Sequence, residues 1–125
     1  MTLKELYEQI GGDYEQALRV LRMDKLIDKH IRKLPKGGVC DALIAAGETM
    51  DETQLFETAH AVKGVCGNLG LTKLAEAASE ITEEFRPGNA RRYSDGEIGE
   101  KLGAFGALYA QARDGIAQYE EESAQ

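Results

Sequence analysis

Three long segments of the chain carry apolar residues at alternating spacings of three and four. The first holds Leu55, Ala59, Val62, Cys66 and Leu69. The second holds Leu71, Leu74, Ala78, Ile81 and Phe85, and the third runs through Ile98, Leu102, Phe105, Tyr109, Ala112, Ile116 and Tyr119. Two or three apolar positions per heptad is the stripe a helix needs to bury one face against antiparallel neighbours. Punctuation agrees with the pattern. Asp51 with Gln54 caps the first segment, Gly70 separates it from the second, Pro87-Gly88-Asn89 ends the second, and a Ser94/Glu97 capping box opens the third.

Shorter helical segments come before these. Thr2 and Glu5 form a capping box for a helix that Gly11-Gly12 terminates. Asp13 and Gln16 start a second, carrying Ala17, Leu18 and Leu21. A third spans about Asp24 to Leu34, with Ile27, Ile31 and Leu34 on one face, and Pro35-Lys36-Gly37-Gly38 breaks it. A short helix from about Val39 to Ala46 carries Leu43. The expected fold is all-α, an antiparallel four-helix bundle with additional short N-terminal helices. It forms one domain over residues 1–125, with the last bundle helix at about 95–120 and a frayed tail at 120–125.

Composition narrows the function classes. With 42% hydrophobic and 30% charged residues, the 125-residue chain is of ordinary globular type. Its net charge of −7 disfavours nucleic acid and anionic membrane surfaces as partners. No apolar run approaches the ~20 residues that span a bilayer. The first residues lack the basic start and apolar stretch of a secretory signal, so a cytoplasmic location is expected. Cys40 and Cys66 form no CxxC pair, and both fall in apolar-periodic stretches, so they read as reduced, buried core thiols.

The chemistry concentrates in the segment Asp51–Leu69. On a wheel of 100° per residue, His60 lies roughly 140° from the mean of the apolar stripe and therefore faces solvent. Gly64 and Gly67, four and seven residues on, share its stripe, and Lys63 sits beside it. A helix-interior glycine costs about 1 kcal/mol relative to alanine. Two of them beside an exposed imidazole leave a bare shelf on which another protein can approach the ring. Imidazole is a nucleophile near neutral pH, and a lysine ammonium can neutralise phosphoryl charge. From the residues alone, His60 is a plausible exposed nucleophile.

The run Ala59-His60-Ala61-Val62-Lys63-Gly64-Val65-Cys66-Gly67-Asn68-Leu69-Gly70-Leu71 closely resembles the signature of the histidine phosphotransfer (HPt) family. In that signature, Lys follows the His at plus three and Gly at plus four, before a small residue, an apolar one and a closing Gly. The resemblance extends over roughly residues 6–85. It implies that His60 accepts a phosphoryl group from the aspartate of a response-regulator receiver domain, or passes one to it. Lys63 would hold the phosphoryl oxygens, and Gly64 and Gly67 would give clearance. The receiver would supply Mg²⁺, and this chain would carry no cofactor of its own. A hybrid histidine kinase is the other partner implied. Family members often orient the imidazole from a polar side chain on the next helix. The matching position is Thr82, with Glu83 or a water as substitutes. Docking uses a mostly apolar patch around the His, for which Phe56, Ala61, Val65 and Asn68 are the candidates, Phe56 lying near the core edge.

Other readings rank lower. His30 has no glycine shelf beside it, and reads as a boundary histidine. Glu57 and His60 have the i, i+3 spacing of half a di-iron motif, but no other helix supplies the matching half, so no metal site is expected. There is no P-loop or other nucleotide box, so the chain is read as a phosphoryl carrier without its own ATP site. In the last helix, Gly99, Gly103, Gly106 and Ala110 form a small-residue row, expected to let a neighbouring helix pack unusually close, within the bundle rather than in a dimer. The rival from another class is a catalytically silent interaction module of the same fold, against which the intact His60, Lys63 and Gly64 set argues.

Overall fold

The computed structural model describes residues 1–124 and is built from seven helices: α1 (Leu3–Ile10), α2 (Tyr14–Leu21), α3 (Asp24–Lys33), α4 (Val39–Thr49), α5 (Glu52–Asn68), α6 (Thr72–Phe85) and α7 (Asp95–Ser123). The last four form the bundle. Each packs on its sequence neighbour, and α7 closes the ring against α4. Short connections through Met50-Asp51 and Leu69–Leu71 force successive helices to run antiparallel. The three longest apolar stripes named above are buried almost throughout, with Leu102 half-buried at the edge of α7.

The caps behave as the sequence implies. Thr2/Glu5 and Ser94/Glu97 close reciprocal capping boxes, while Asp13 and Asp51 accept from the N–H groups of Gln16 and Gln54, both at 3.0 Å. Two boundaries differ. α4 continues to Thr49 rather than stopping near Ala46, because Gly47 lets it pass beneath the Leu102 side chain. A β-carbon at Gly47 would lie 2.6 Å from Leu102 Cδ1. α7 runs on through residues 120–123 of the expected tail. The helix persists to Ser123, Tyr119 is buried, and Glu120 pairs with Lys36 at 2.8 Å. Gln125, the last residue of the expected tail, lies outside the described residues.

The small-residue row on α7 is also corrected. Among the described residues, a β-carbon at Gly99, Gly103 or Gly106 would meet nothing within 4 Å, so no helix of the bundle packs there. Close approach to α7 occurs instead at Gly115, where an added β-carbon would sit 2.5 Å from Ile10 Cγ2 of α1. The heptad position of Gly115, not the length of the glycine run, decides which glycine meets a neighbour.

The segment 86–94 between α6 and α7 is anchored by one carboxylate. Glu84 is 1% exposed, and its Oε2 accepts from the backbone N–H groups of Arg92 (2.8 Å) and Tyr93 (2.7 Å). Arg92 Nε stands 3.5 Å from Oε1. Burial pushes this carboxyl up, but the two backbone donors and Arg92 outweigh it and hold Glu84 below the usual range. A lowered folded-state pKa contributes stability above the unfolded pKa, and that contribution is lost as pH falls through the folded value. Glu84→Gln is therefore expected to cost about 2–3 kcal/mol near neutral pH. The gap from the parent should narrow in acid, as read by urea melts at pH 7 and pH 3.5. A gap independent of pH would remove the carboxylate from this account.

Candidate functional site

His60 stands near the middle of α5, opposite the buried row of Leu55, Ala59, Val62 and Cys66. Its ring is exposed and makes no hydrogen bond among the described residues. Gly64 and Gly67 open the surface beside it as expected: a β-carbon on either would have nothing within 4 Å among the described residues. Lys63 is half-buried one turn away and forms no ion pair among the described residues.

The imidazole is positioned by a ring rather than by a hydroxyl. Phe56, one turn before His60, stacks on it with centroids 5.7 Å apart and planes 14° from parallel. Phe56 is half-buried, as its place at the core edge implies. Behind it stands the Arg86 guanidinium, 5.4 Å from the Phe56 centroid. The expected contact from Thr82 to the imidazole is not formed. Thr82 is fully buried, and its hydroxyl donates to the Ala78 carbonyl at 2.8 Å, one turn back on α6. Its side chain is too short to reach from the core face of α6 to the exposed face of α5, so it satisfies its hydroxyl locally.

Glu83 and Arg86 supply the charge on the α6 side. Arg86 donates to both Glu83 oxygens, at 2.9 Å from Nη2 and 3.1 Å from Nε. That pairing holds the Glu83 carboxyl below the usual range against slight burial, and the neighbouring Lys63 and His60 side chains add to it. Lys63 therefore stands one turn from the imidazole on α5, while Arg86, paired with Glu83, reaches it only through the Phe56 ring. Arg86 is the residue that sequence reading missed. The signal was an i, i+3 acid–base pair closing α6 just before Pro87, but nothing in that spacing tells which neighbouring helix it faces.

The remaining predicted residues divide by side. Ala61, Val65 and Asn68 are exposed on the α5 flank away from α6. Val65 and Asn68 line a groove of about 310 Å³ with Leu21, His30, Lys33 and Leu34. His30, read as a boundary residue, is an exposed wall of this groove. Elsewhere, Cys40 and Cys66 are free and fully buried, and mutual contact together with burial pushes the Cys66 thiol up, away from reactive thiolate. Among the described residues, no three His, Cys, Asp or Glu side chains converge as a metal would require. Among the described residues, no helix is long and apolar enough to cross a membrane.

The open space at Gly64 and Gly67 separates stability from function. Alanine at either position adds helix propensity without a clash, so each variant should be more stable by about 0.5–1 kcal/mol. If the shelf is where a partner approaches, Gly64→Ala and Gly67→Ala should also slow phosphoryl exchange with a receiver domain, while labelling by a small donor is unchanged. Thermal melts and paired transfer assays check both halves. Stabilised variants with full receiver transfer would show that the glycines do not serve the partner.

No curated protein and no solved structure matches the chain. The family model of the Hpt domain matches residues 3–118, a longer span than the residues 6–85 over which the sequence resemblance was drawn. The extension takes in all seven helices, including α7 as the closing wall of the bundle. Such domains serve histidine phosphotransfer in two-component systems, as carriers rather than catalysts. With that match over nearly the whole helical chain, and an exposed histidine on the central bundle helix, the protein belongs to the Hpt domain family.

Proposed function

We propose that His60 is the phosphoryl-carrying residue and that it exchanges its group with the aspartate of a receiver domain, on a response regulator or a hybrid histidine kinase. The observation that carries this reading is the exposed imidazole beside the empty surface over Gly64 and Gly67, with Lys63 one turn away. An oxyanion-rich transition state needs positive charge where the phosphoryl oxygens lie, and it needs room for the donor.

In the forward step a lone pair on an exposed ring nitrogen of His60 attacks phosphorus. The bond from phosphorus to the donor's carboxylate oxygen breaks, and the carboxylate leaves with the electron pair. The proton on the other ring nitrogen passes to solvent, leaving a neutral ring that carries the anionic phosphoryl group. Phe56 holds the ring plane through the transfer, and Lys63 stands near the phosphoryl oxygens. The chain itself contributes nucleophile, orientation and charge. Receiver-bound Mg²⁺ belongs to the partner.

The test is incubation with phosphoramidate, and separately with phosphorylated receiver domains from the same source, read by intact mass and acid lability. An acid-labile adduct supports the carrier reading, and its appearance from a receiver supports the relay. A folded protein that forms no adduct from either donor would instead be a silent interaction module.

A further inference from the structure

Positive charge on this chain is segregated. Seven of its 15 Lys and Arg residues lie between residues 19 and 36, where only Asp24 and Asp28 oppose them, although the whole chain carries −7. Part of this charge is internal to the fold: Arg32 pairs with Asp28, and Lys36 with Glu120. Arg22, Lys25, Lys29 and Lys33 are exposed and form no ion pair within 4 Å among the described residues. Lys25, Lys29 and Lys33 recur at four-residue spacing, so they form one ridge along α3.

The ridge ends, at Lys33, in the groove between α2, α3 and the C-terminal end of α5. Lys33 and His30 form its α3 wall, Leu21 and Leu34 supply apolar surface, and Val65 and Asn68 form the α5 wall. Among the described residues, Val65 is one of three large apolar side chains with substantial exposure, at 40%. The two others, Val20 and Met23, flank the same α2–α3 corner in sequence. The groove therefore joins an apolar floor to a cationic rim, and its α5 wall begins beside Gly64. Asn68 lies about 12 Å along the helix from His60, within the footprint of any domain seated on that ring.

Resting on the proposed exchange with a receiver domain, we propose that this groove selects among receivers. It takes the one that presents a large apolar side chain ringed by Asp and Glu on the surface next to its phosphorylated aspartate. The charge pattern fits that occupant. The rim attracts acidic surface at long range, and the rest of the acidic molecule repels it, so approach is steered toward the end of α5. The apolar floor then fixes the seat, and His60 lies beside it. Phosphoryl chemistry at His60 is common to every donor; discrimination between donors comes from the groove.

The closing experiment uses the full chain and purified receiver domains from the same source, each phosphorylated before mixing. The rate of transfer to His60 is measured against receiver concentration and salt for the parent, the double variant Lys29→Glu/Lys33→Glu, Val65→Ser, and the charge-preserving Lys29→Arg/Lys33→Arg. Labelling by phosphoramidate, which needs no docking surface, is followed on the same samples. For the receiver that the parent prefers, the charge-reversed variant should show about tenfold or greater loss in kcat/KM, carried by KM. Its salt dependence should flatten, the arginine pair should restore transfer, and Val65→Ser should raise KM without altering the salt slope. Unchanged KM and unchanged receiver preference in the charge-reversed variant would overturn the groove while leaving the carrier reading intact. If no receiver transfers to the parent although phosphoramidate labels it, the relay reading fails, and the groove proposal with it.

Discussion

His60→Gln is expected to yield a folded protein that takes up no acid-labile phosphoryl group from phosphoramidate or from a receiver domain. Glutamine keeps a polar side chain of comparable reach, but its amide nitrogen has no available lone pair to attack phosphorus. The exposed position means that little packing is lost apart from the stack on Phe56, so stability should stay within about 0.5 kcal/mol of the parent. Rate and stability are therefore cleanly separated at this residue. The measurement is intact mass before and after acid treatment, beside a thermal melt. A residual acid-labile adduct in the variant would move the chemistry elsewhere, with the groove-lining His30 the first place to look.

Gly70→Ala carries the largest expected loss of stability. Gly70 has φ +69°, in the left-handed region, where an alanine costs about 1–2 kcal/mol. It also sits against the α1–α2 turn. A β-carbon there would lie 2.2 Å from the Asp13 carbonyl oxygen and 3.1 Å from the Ala17 nitrogen, both backbone atoms with no rotamer to yield. The two segments must part, which breaks the 2.7 Å hydrogen bond from Asp13 N–H to the Gly70 carbonyl and strains the 2.6 Å bond from the Tyr7 hydroxyl to the Leu69 carbonyl. Together the loss should be about 3–5 kcal/mol. That is a large share of a typical domain stability. A fall in melting temperature of more than about 10 °C is expected. A fall of under about 2 °C would mean that the turn yields without cost.

The same contacts explain why this bundle needs its N-terminal helices. α5 ends at the corner where Tyr7, Asp13 and Ala17 meet Leu69 and Gly70. Gly67 and Asn68 belong to the last turn before that corner. Gly70→Ala should therefore loosen the end of the docking face as well as the fold, whereas Gly64→Ala and Gly67→Ala firm the helix and obstruct only what approaches from outside. Opposite stability effects from glycines only a few residues apart would locate the boundary between the internal face and the partner face of α5.

Much of this was already determined by the sequence. Apolar spacing and cap residues are local properties of a helix, so all seven helices, the exposure of His60, the shelf over Gly64 and Gly67 and the burial of both cysteines follow from the chain itself. The His60–Lys63–Gly64 pattern also pointed to the right family, since those residues share one helical face whatever surrounds them. What lay beyond the sequence depends on how separate helices meet. The azimuth of α6 against α5 turns Thr82 into the core and brings Arg86 to Phe56, and a 3.6-residue period says nothing about that azimuth. The packing of α7 leaves Gly99, Gly103 and Gly106 open while pressing Gly115 onto Ile10, because only register between helices decides which small residue faces a neighbour. The cationic ridge of α3 becomes a wall of the groove beside His60 only once α2 and α3 fold back on the end of α5. Local order follows from side-chain chemistry along one helix, and the arrangement of charge around the imidazole follows from contacts between helices.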